Sequence, residues 1–520
     1  MERISIGQLF KKVQDRVGRK VPAGGAMFGL ANGNLIGKDG YLWDTPHGNW
    51  TGSPSVEPGH SDAFPAQIEE VISGATKFID IATMKVPTGK FWAAIKDGLK
   101  AVAKAKREVT ARILIGFPMR YHPPNLWDQL KEIGEALREH PGYVTVDLGI
   151  YRYYTIQTYP EGWNHAKLIA VDGEVLITGG HNLWDEDYLG LSPVFDLSLK
   201  LEGPIARGGH AFANGLWSFV TQHNRTPHTY SHRLKPDLSI TNDPPAQAAL
   251  PTADPVGRID AMWVAEPGRG VFRTNTGEEF RESTMMIAFL AALETASHCR
   301  ISQQSFGSFP VEWKGPPPQF SIRKSDQFPY AFIYHRAPNG SGFEYNLSLV
   351  DALATFLVRN HEKKRVLEIL MSPPDGGRYS NGEADAGILD VVAYRMKTHD
   401  RFRNATKEEL VAQLNKQVWL NWPAITGSSG PIRIWTANGK AMANHSKFWM
   451  VDERIFYVGS ENMYPTVATE GLVYAEGGLQ EFGIIAEADD SVRDLLVNQY
   501  HALAMDHGFR RTIKVGDLSF

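Results

Sequence analysis

The sequence predicts an α/β protein built as two pseudo-symmetric α/β/α sandwich halves in one chain, and three observations predict it. First, a motif is written twice: W-N-H-A-K-L-I-A-V-D-G-E-V-L-I-T-G-G-H-N from Trp163 to Asn182, and N-H-S-K-F-W-M-V-D-E-R-I-F-Y-V-G-S-E-N from Asn444 to Asn462. His165 and His445, Lys167 and Lys447, Asp172 and Asp452, and Asn182 and Asn462 all stand at the same interval, which chance does not produce. Second, the elements ahead of each motif come in the same order, helix and strand alternating, as a layered α/β unit requires. Third, 520 residues exceed what one ordinary core organises.

Taken in order, Gln67 to Met84 reads as an amphipathic helix running into a strand, and so does Phe289 to Phe306. A helix and an apolar strand follow in each half, ending at Pro118 in the first and Pro373 in the second. Each half then reaches its His-containing strand. Lys167 to Val171 and Glu174 to Thr178, joined by Asp172-Gly173, read as a hairpin with a tight primed turn, and the second copy turns at Asp452-Glu453. Between Lys235 and Gly257 the chain is Pro-rich without apolar periodicity, as a linker is. The expected division is therefore 1–235, a linker 236–257, and 258–520.

A hydrophobic share of 42% with 22% charged residues excludes a disordered chain. The net charge of −4 supplies no global positive field, which counts against nucleic acid as the partner. A single cysteine, Cys299, excludes an intrachain disulfide and reads as a small buried hydrophobe. The N-terminal stretch lacks the apolar run of a secretory leader and no segment reaches the length of a membrane span. A soluble monomer is expected, cytoplasmic or secreted by a leaderless route.

The duplicated motif carries the chemistry. Side chains alternate along a strand, so His165 and Lys167 leave the same face, as do His445 and Lys447. Asn182 follows Gly179-Gly180 and Asn462 follows Gly459-Ser460, where small residues let backbone and amide approach a ligand. Two imidazoles, two ammonium groups and two amides suit a phosphate diester, one His attacking phosphorus and the other protonating the leaving oxygen. No His/Cys/carboxylate spacing of a metal site accompanies them, so metal-independent chemistry without a cofactor is expected. Asp172 and Asp452 fall at hairpin turns and read as structural. Asp196 and Glu481, each in an apolar strand after its motif, are candidates to accept a hydrogen bond from the imidazoles and orient them.

The doubled motif resembles the phospholipase D superfamily, and the wording around it is similar to the bacterial, Streptomyces-type phospholipases D. Thr178 to Leu189 (T-G-G-H-N-L-W-D-E-D-Y-L), Arg300 to Gln304 (R-I-S-Q-Q), Val458 to Pro465 (V-G-S-E-N-M-Y-P) and Leu479 to Gly483 (L-Q-E-F-G) carry that closer likeness. The resemblance implies one active site at the seam between the halves. It implies His165 as the nucleophile that becomes phosphohistidine and His445 as the general acid. Lys167, Lys447, Asn182 and Asn462 would hold the phosphate, and Asp196 and Glu481 would orient the imidazoles. Two loops, Met119 to Trp127 and Ser372 to Gly382, would line the entrance with Tyr121, Trp127 and Tyr379. Glu481 stands where the family has Asp, and Thr466 to Gly478 reads as an insertion ahead of it. Phe306, Phe309, Trp313 and Phe320 offer an apolar rim suited to a lipid surface.

The implied activity is hydrolysis of phosphatidylcholine-type phospholipids at a membrane or micelle surface, with transfer of the phosphatidyl group to water or a primary alcohol. A nuclease of the same chemistry, a lipase effector acting on rival or host cells, and a lipid synthase of the phosphatidylserine or cardiolipin type are the alternatives. The absence of any membrane-anchoring segment disfavours the synthase.

Overall fold

The structure is a computed structural model, which describes residues 4–18, 26–37, 42–46, 58–116, 124–155, 158–190, 193–223, 229–248, 253–266, 283–307, 319–324, 331–336, 342–372, 383–423, 442–463, 479–507, 509–518 and 520. Two large mixed sheets organise it. The first runs, in spatial order, Ile240–Thr241, Tyr230–Leu234, Val144–Thr155, Val109–Gly116, Phe78–Thr83, Leu168–Val171, Val175–Gly179, Asp196–Glu202 and Leu42–Thr45, with Thr158–Trp163 folded back on Val144–Thr155. The second runs Phe28–Asn34, Ile259–Glu266, Glu481–Glu487, Ile455–Gly459, Lys447–Val451, Cys299–Gln303, Leu367–Met371, Val418–Trp422 and Phe509–Arg511.

The duplication is visible in the pairing. In the first sheet Phe78–Thr83 pairs parallel to Val109–Gly116, which pairs parallel to Val144–Thr155, while Leu168–Val171, Val175–Gly179 and Asp196–Glu202 continue antiparallel on the other side. Cys299–Gln303, Leu367–Met371, Val418–Trp422, Lys447–Val451, Ile455–Gly459 and Glu481–Glu487 repeat that order and those directions. Both hairpins close on the primed turns expected of them. Asp172 and Gly173 have φ of 54° and 76°, and Asp452 and Glu453 have 49° and 56°.

Helices cover both faces, because both faces of these strands are apolar. Ala63–Ser73, Gly89–Lys104 and Leu126–Leu137 bury Ile68, Phe91, Ile95 and Ile133 against Ile79, Ile81 and Ile113 of the first sheet. On its other face Ala206–His223 sets Phe212, Leu216 and Trp217 against Leu168 and Leu176. The second sheet is covered by Thr284–Leu293, Leu347–Arg359, Glu383–Met396 and Lys407–Gln417 on one side, and by the C-terminal helical segment with Leu496 and Tyr500 on the other. The lobes share a core at their seam, where Phe195 stacks on Tyr500 at 5.0 Å and Phe212 meets Phe482 at 5.3 Å.

Three features were not legible in the sequence. Helix Ile6–Val17 packs into the core of the second lobe and strand Phe28–Asn34 joins the second sheet, pairing with Ile259–Glu266. Of 236–257, residues 236–248 lie along the first lobe, where Ala246 O accepts from Arg112 Nη1 at 2.9 Å and the Ala246 and Ala248 N–H groups donate to Asp147 and Asn214, whereas the Val256 and Gly257 N–H groups donate to Gly33 O of the N-terminal strand. A third antiparallel sheet, Phe320–Lys324, Ala331–Arg336 and Gly342–Asn346, is inserted in the second half.

The two halves also differ in one buried ion pair. Asp80 and Arg112 are register partners in the first sheet, as Arg300 and Glu368 are in the second, so the charges are exchanged between strands. Asp80 accepts from Arg112 Nε at 2.7 Å and pairs with His210 Nδ1 at 2.6 Å, while Glu368 lies 3.6 Å from Arg300 Nε and 3.4 Å from His501 Nε2. Each repeat thus keeps an acid, an arginine and a helix-borne histidine on the same face, with its acid on a different strand.

Candidate active site

Each catalytic candidate is held by the seam. The segment preceding His165 pairs with the strand carrying Glu481: His165 N–H donates to Gln480 O at 3.0 Å and Gln480 N–H to Trp163 O at 3.2 Å. The other copy mirrors this, with His445 N–H donating to Phe195 O at 2.8 Å and Phe195 N–H to Ala443 O at 2.9 Å. The His of one lobe is therefore set beside the acidic strand of the other.

The side chains follow the backbone. His165 Nδ1 meets Glu481 Oε1 at 2.7 Å and His445 Nδ1 meets Asp196 Oδ2 at 2.8 Å. A carboxylate only accepts, so Nδ1 carries the hydrogen and Nε2 keeps its lone pair for chemistry. Glu481 is held in turn by the Ser460 hydroxyl. Asp196 is held by Leu197 N–H, donating to Oδ1 at 2.8 Å, and by the Tyr188 hydroxyl, donating to Oδ2 at 2.9 Å. All four residues are buried.

The difference between Gly180 and Ser460 acquires a reason here. A Cβ at Gly180 would stand 1.9 Å from Asp196 Oδ1, whereas Ser460 supplies a donor to Glu481. One lobe closes on its carboxylate with backbone, the other with a hydroxyl.

Lys167 Nζ donates to His165 O at 2.6 Å, and Lys447 Nζ donates to His445 O and to Gln304 Oε1 at 3.3 Å. Both ammonium groups are buried and retain unused donors, as a phosphate cradle needs. Asn182 and Asn462 are buried too, and among the described residues neither Oδ1 has a hydrogen-bond partner. Burial pushes His165 down to about 4, opposed by Glu481 and reinforced by Lys167 and Lys447. Burial, then the two lysines, hold His445 well below the ordinary imidazole range. Burial lowers Lys167 to about 8 against the pull of Glu481 and Asp196, and burial likewise holds Lys447 well below the ordinary ammonium range. Without an anion the site therefore favours neutral imidazoles; an entering phosphate restores proton affinity to all four groups.

Asp172 and Asp452 stand away from the reacting face. Asp172 accepts from Thr76 N–H and hydroxyl at 2.6 and 2.8 Å, and from Lys77 and Phe78 N–H at 2.9 and 2.7 Å. Asp452 accepts from Ser297 and His298 N–H at 2.8 and 2.9 Å. Both bind the hairpin turn to the helix–strand connection beside it. Trp127 is 40% exposed in the first turn of Leu126–Leu137, its ring 5.2 Å from His232. Tyr121 and Tyr379 lie outside the described residues, as do Phe309, Trp313 and the stretch 466–478. Phe306 is fully buried and Phe320 stacks on Tyr394 at 4.2 Å, so these two pack inward and form no apolar rim.

Several site residues escaped the sequence reading. Asn164 and Asn444, each preceding its His, cap carbonyls where the central strands diverge: Asn164 Nδ2 donates to Thr83 O and Asn444 Nδ2 to Leu370 O. Their repetition in N-H-A-K and N-H-S-K was the available signal. Tyr188 had no such signal, since its corresponding position lies in the segment that departs from the first copy. His181 and Glu461 occupy corresponding places, His181 bonded to Ser198 and Glu461 accepting from Ser283. Burial raises Glu461 to about 8, at the place where the first lobe has the imidazole of His181.

No family model matches the chain. In sequence it is similar to a phospholipase D of Streptomyces antibioticus, 26% identical over 481 residues, covering 88% of this chain and 79% of that protein. In structure it is similar to the phosphatidylserine synthase of Haemophilus influenzae Rd KW20, with a TM-score of 0.50 at 13% identity, covering 98% of this chain and 94% of that chain. Among the described residues no helix is long and apolar enough to cross a membrane. The chain has a two-lobed α/β/α architecture, two mixed sheets each covered by helices, and shares that fold with this synthase.

Proposed function

We propose that the protein is a phospholipase D that hydrolyses phosphatidylcholine-type phospholipids to phosphatidic acid and the headgroup alcohol, and transfers the phosphatidyl group to alcohols. The observation that carries this reading is the crossed pair of imidazoles, His165 on Glu481 and His445 on Asp196, each with a buried lysine two residues on. In the first step His165 Nε2 attacks phosphorus, the bond from phosphorus to the alcohol oxygen breaks, and His445 gives that oxygen its proton. In the second, His445 takes a proton from water or an alcohol, whose oxygen attacks phosphorus and releases His165. Lys167, Lys447, Asn182 and Asn462 bind the non-bridging oxygens. The work is divided between the His165 lobe and the His445 lobe, the latter including the N-terminal strand Phe28–Asn34, and the protein acts as a monomer on a lipid surface. The likeness to a named phospholipase D supports the lipid reading over the nuclease.

The test uses a phosphatidyl-p-nitrophenol substrate, whose leaving group needs little protonation. His445→Ala should release about one p-nitrophenol per enzyme and then stall, for want of a base to activate water. His165→Ala should give neither burst nor turnover. A burst from His165→Ala alone would reverse the two roles, and full turnover by either variant would overturn the mechanism.

A further inference from the structure

The run R-I-S-Q-Q, Arg300 to Gln304, covers most of strand Cys299–Gln303, which pairs with the one carrying Lys447. Arg300 pairs with Glu368, and Ser302 bonds to Ser446 and Asn444 inside the lobe. The two glutamines remain. Gln303 is the register partner of Lys447 in the antiparallel pair, so the two side chains leave the same face of the sheet. It is fully buried, and among the described residues neither Oε1 nor Nε2 has a hydrogen-bond partner. Gln304, only partly buried at the strand end, already accepts from Lys447 Nζ.

The first lobe answers the same position differently. There Phe78–Thr83 pairs with Leu168–Val171 in the matching register, which sets Thr83 and Met84 at the places of Gln303 and Gln304. Thr83 is satisfied locally, its hydroxyl donating to Asn182 O at 3.5 Å. A shared phosphate-binding frame accounts for what the lobes have in common, and at this register position the His445 side has an amide with both ends unsatisfied where the His165 side has Thr83. A buried amide with both ends unused is costly unless a ligand completes it.

We propose that Gln303, with Gln304 beside it, forms a polar subsite next to Lys447 that takes a second hydroxyl carried by an entering alcohol. The proposal rests on the phosphodiester-transfer reading, which puts the alcohol oxygen on the His445 side. An amide offers one donor and one acceptor group, matching a second hydroxyl, which both gives and accepts. A purely alkyl alcohol matches neither.

The experiment competes glycerol against 1-propanol, equal in carbon number, for one intermediate on phosphatidylcholine micelles. The ratio of phosphatidylglycerol to phosphatidylpropanol is read for wild type, Gln303→Leu and Gln303→Thr, the last restoring the residue the first lobe uses. Because both alcohols draw on the same intermediate, the ratio does not depend on how fast it forms. We expect the ratio to fall about five- to tenfold in both variants, as the loss of one hydrogen bond implies. A ratio equal to wild type in either folded variant overturns the subsite. A wild type that makes neither alcohol product overturns the transfer reading and the subsite with it, a result distinct from any change between variants.

Discussion

Replacing Asp196 and Glu481 by their amides should have unequal effects, and the hydrogen bonds around each carboxylate say why. In Asp196→Asn the Leu197 N–H, donating to Oδ1, cannot turn away, so the amide oxygen must stay there. The new NH₂ then faces His445 Nδ1 and the Tyr188 hydroxyl. A donor at that place forces Nδ1 to accept and moves the ring hydrogen to Nε2, the nitrogen that must exchange protons with the alcohol. In the Ser-His-Asp triad, where a carboxylate holds an imidazole in the same way, this tautomer error lowers kcat by ~10⁴. A loss of ~10³–10⁴, or about 4–5 kcal/mol of transition-state stabilisation, is expected here. In Glu481→Gln the partner of the second oxygen is the Ser460 hydroxyl, which rotates and accepts as readily as it donates. Its NH₂ turns to Ser460, the carbonyl stays on His165, and the tautomer survives. What is lost is the charge supporting His165, worth about 1.5–3 kcal/mol or ~10–100-fold. The assay is kcat for choline release from a short-chain phosphatidylcholine below its micelle concentration. Equal losses in the two variants, or an Asp196→Asn enzyme keeping more than about a tenth of wild-type kcat, would refute the argument.

Three further outcomes follow from the same structure. Lys167 must be charged to hold phosphate, and burial brings it to about 8, so kcat/KM on a soluble substrate should fall as pH rises through that value; a profile still climbing past it would contradict the role. Gly180→Ala places a Cβ 1.9 Å from Asp196 Oδ1, so it should cost activity ~100-fold or more while Ser460→Gly costs ~10-fold, compared by kcat on one substrate. Arg112→Leu leaves the buried Asp80 with His210 as its remaining ionic partner and should lower stability by ~3–5 kcal/mol in urea unfolding; a change below ~1 kcal/mol would show that the pair is not needed.

Much of this protein was legible in order along the chain. The duplicated His, Lys, Asp and Asn, the primed hairpin turns and the helix–strand alternation are local patterns, set by the strand period of two and by turn chemistry. That is why the turns at Asp172 and Asp452 and the matched strand order of the two sheets appear where the sequence puts them. Local pattern stops at the edge of each element. Nothing near His165 says that its carboxylate is Glu481, far along the chain in the other lobe, because that pairing comes from Gln480 and Trp163 meeting backbone to backbone across the seam. The same holds for the N-terminal strand that joins the second sheet, and for Phe306 and Phe320, aromatics in a Pro-rich stretch that pack inward once a third sheet stands beside them. Composition reports that such groups are apolar or charged; which surface covers them is decided by packing between residues hundreds apart, where the free energy depends on shape and leaves no period in the sequence to read.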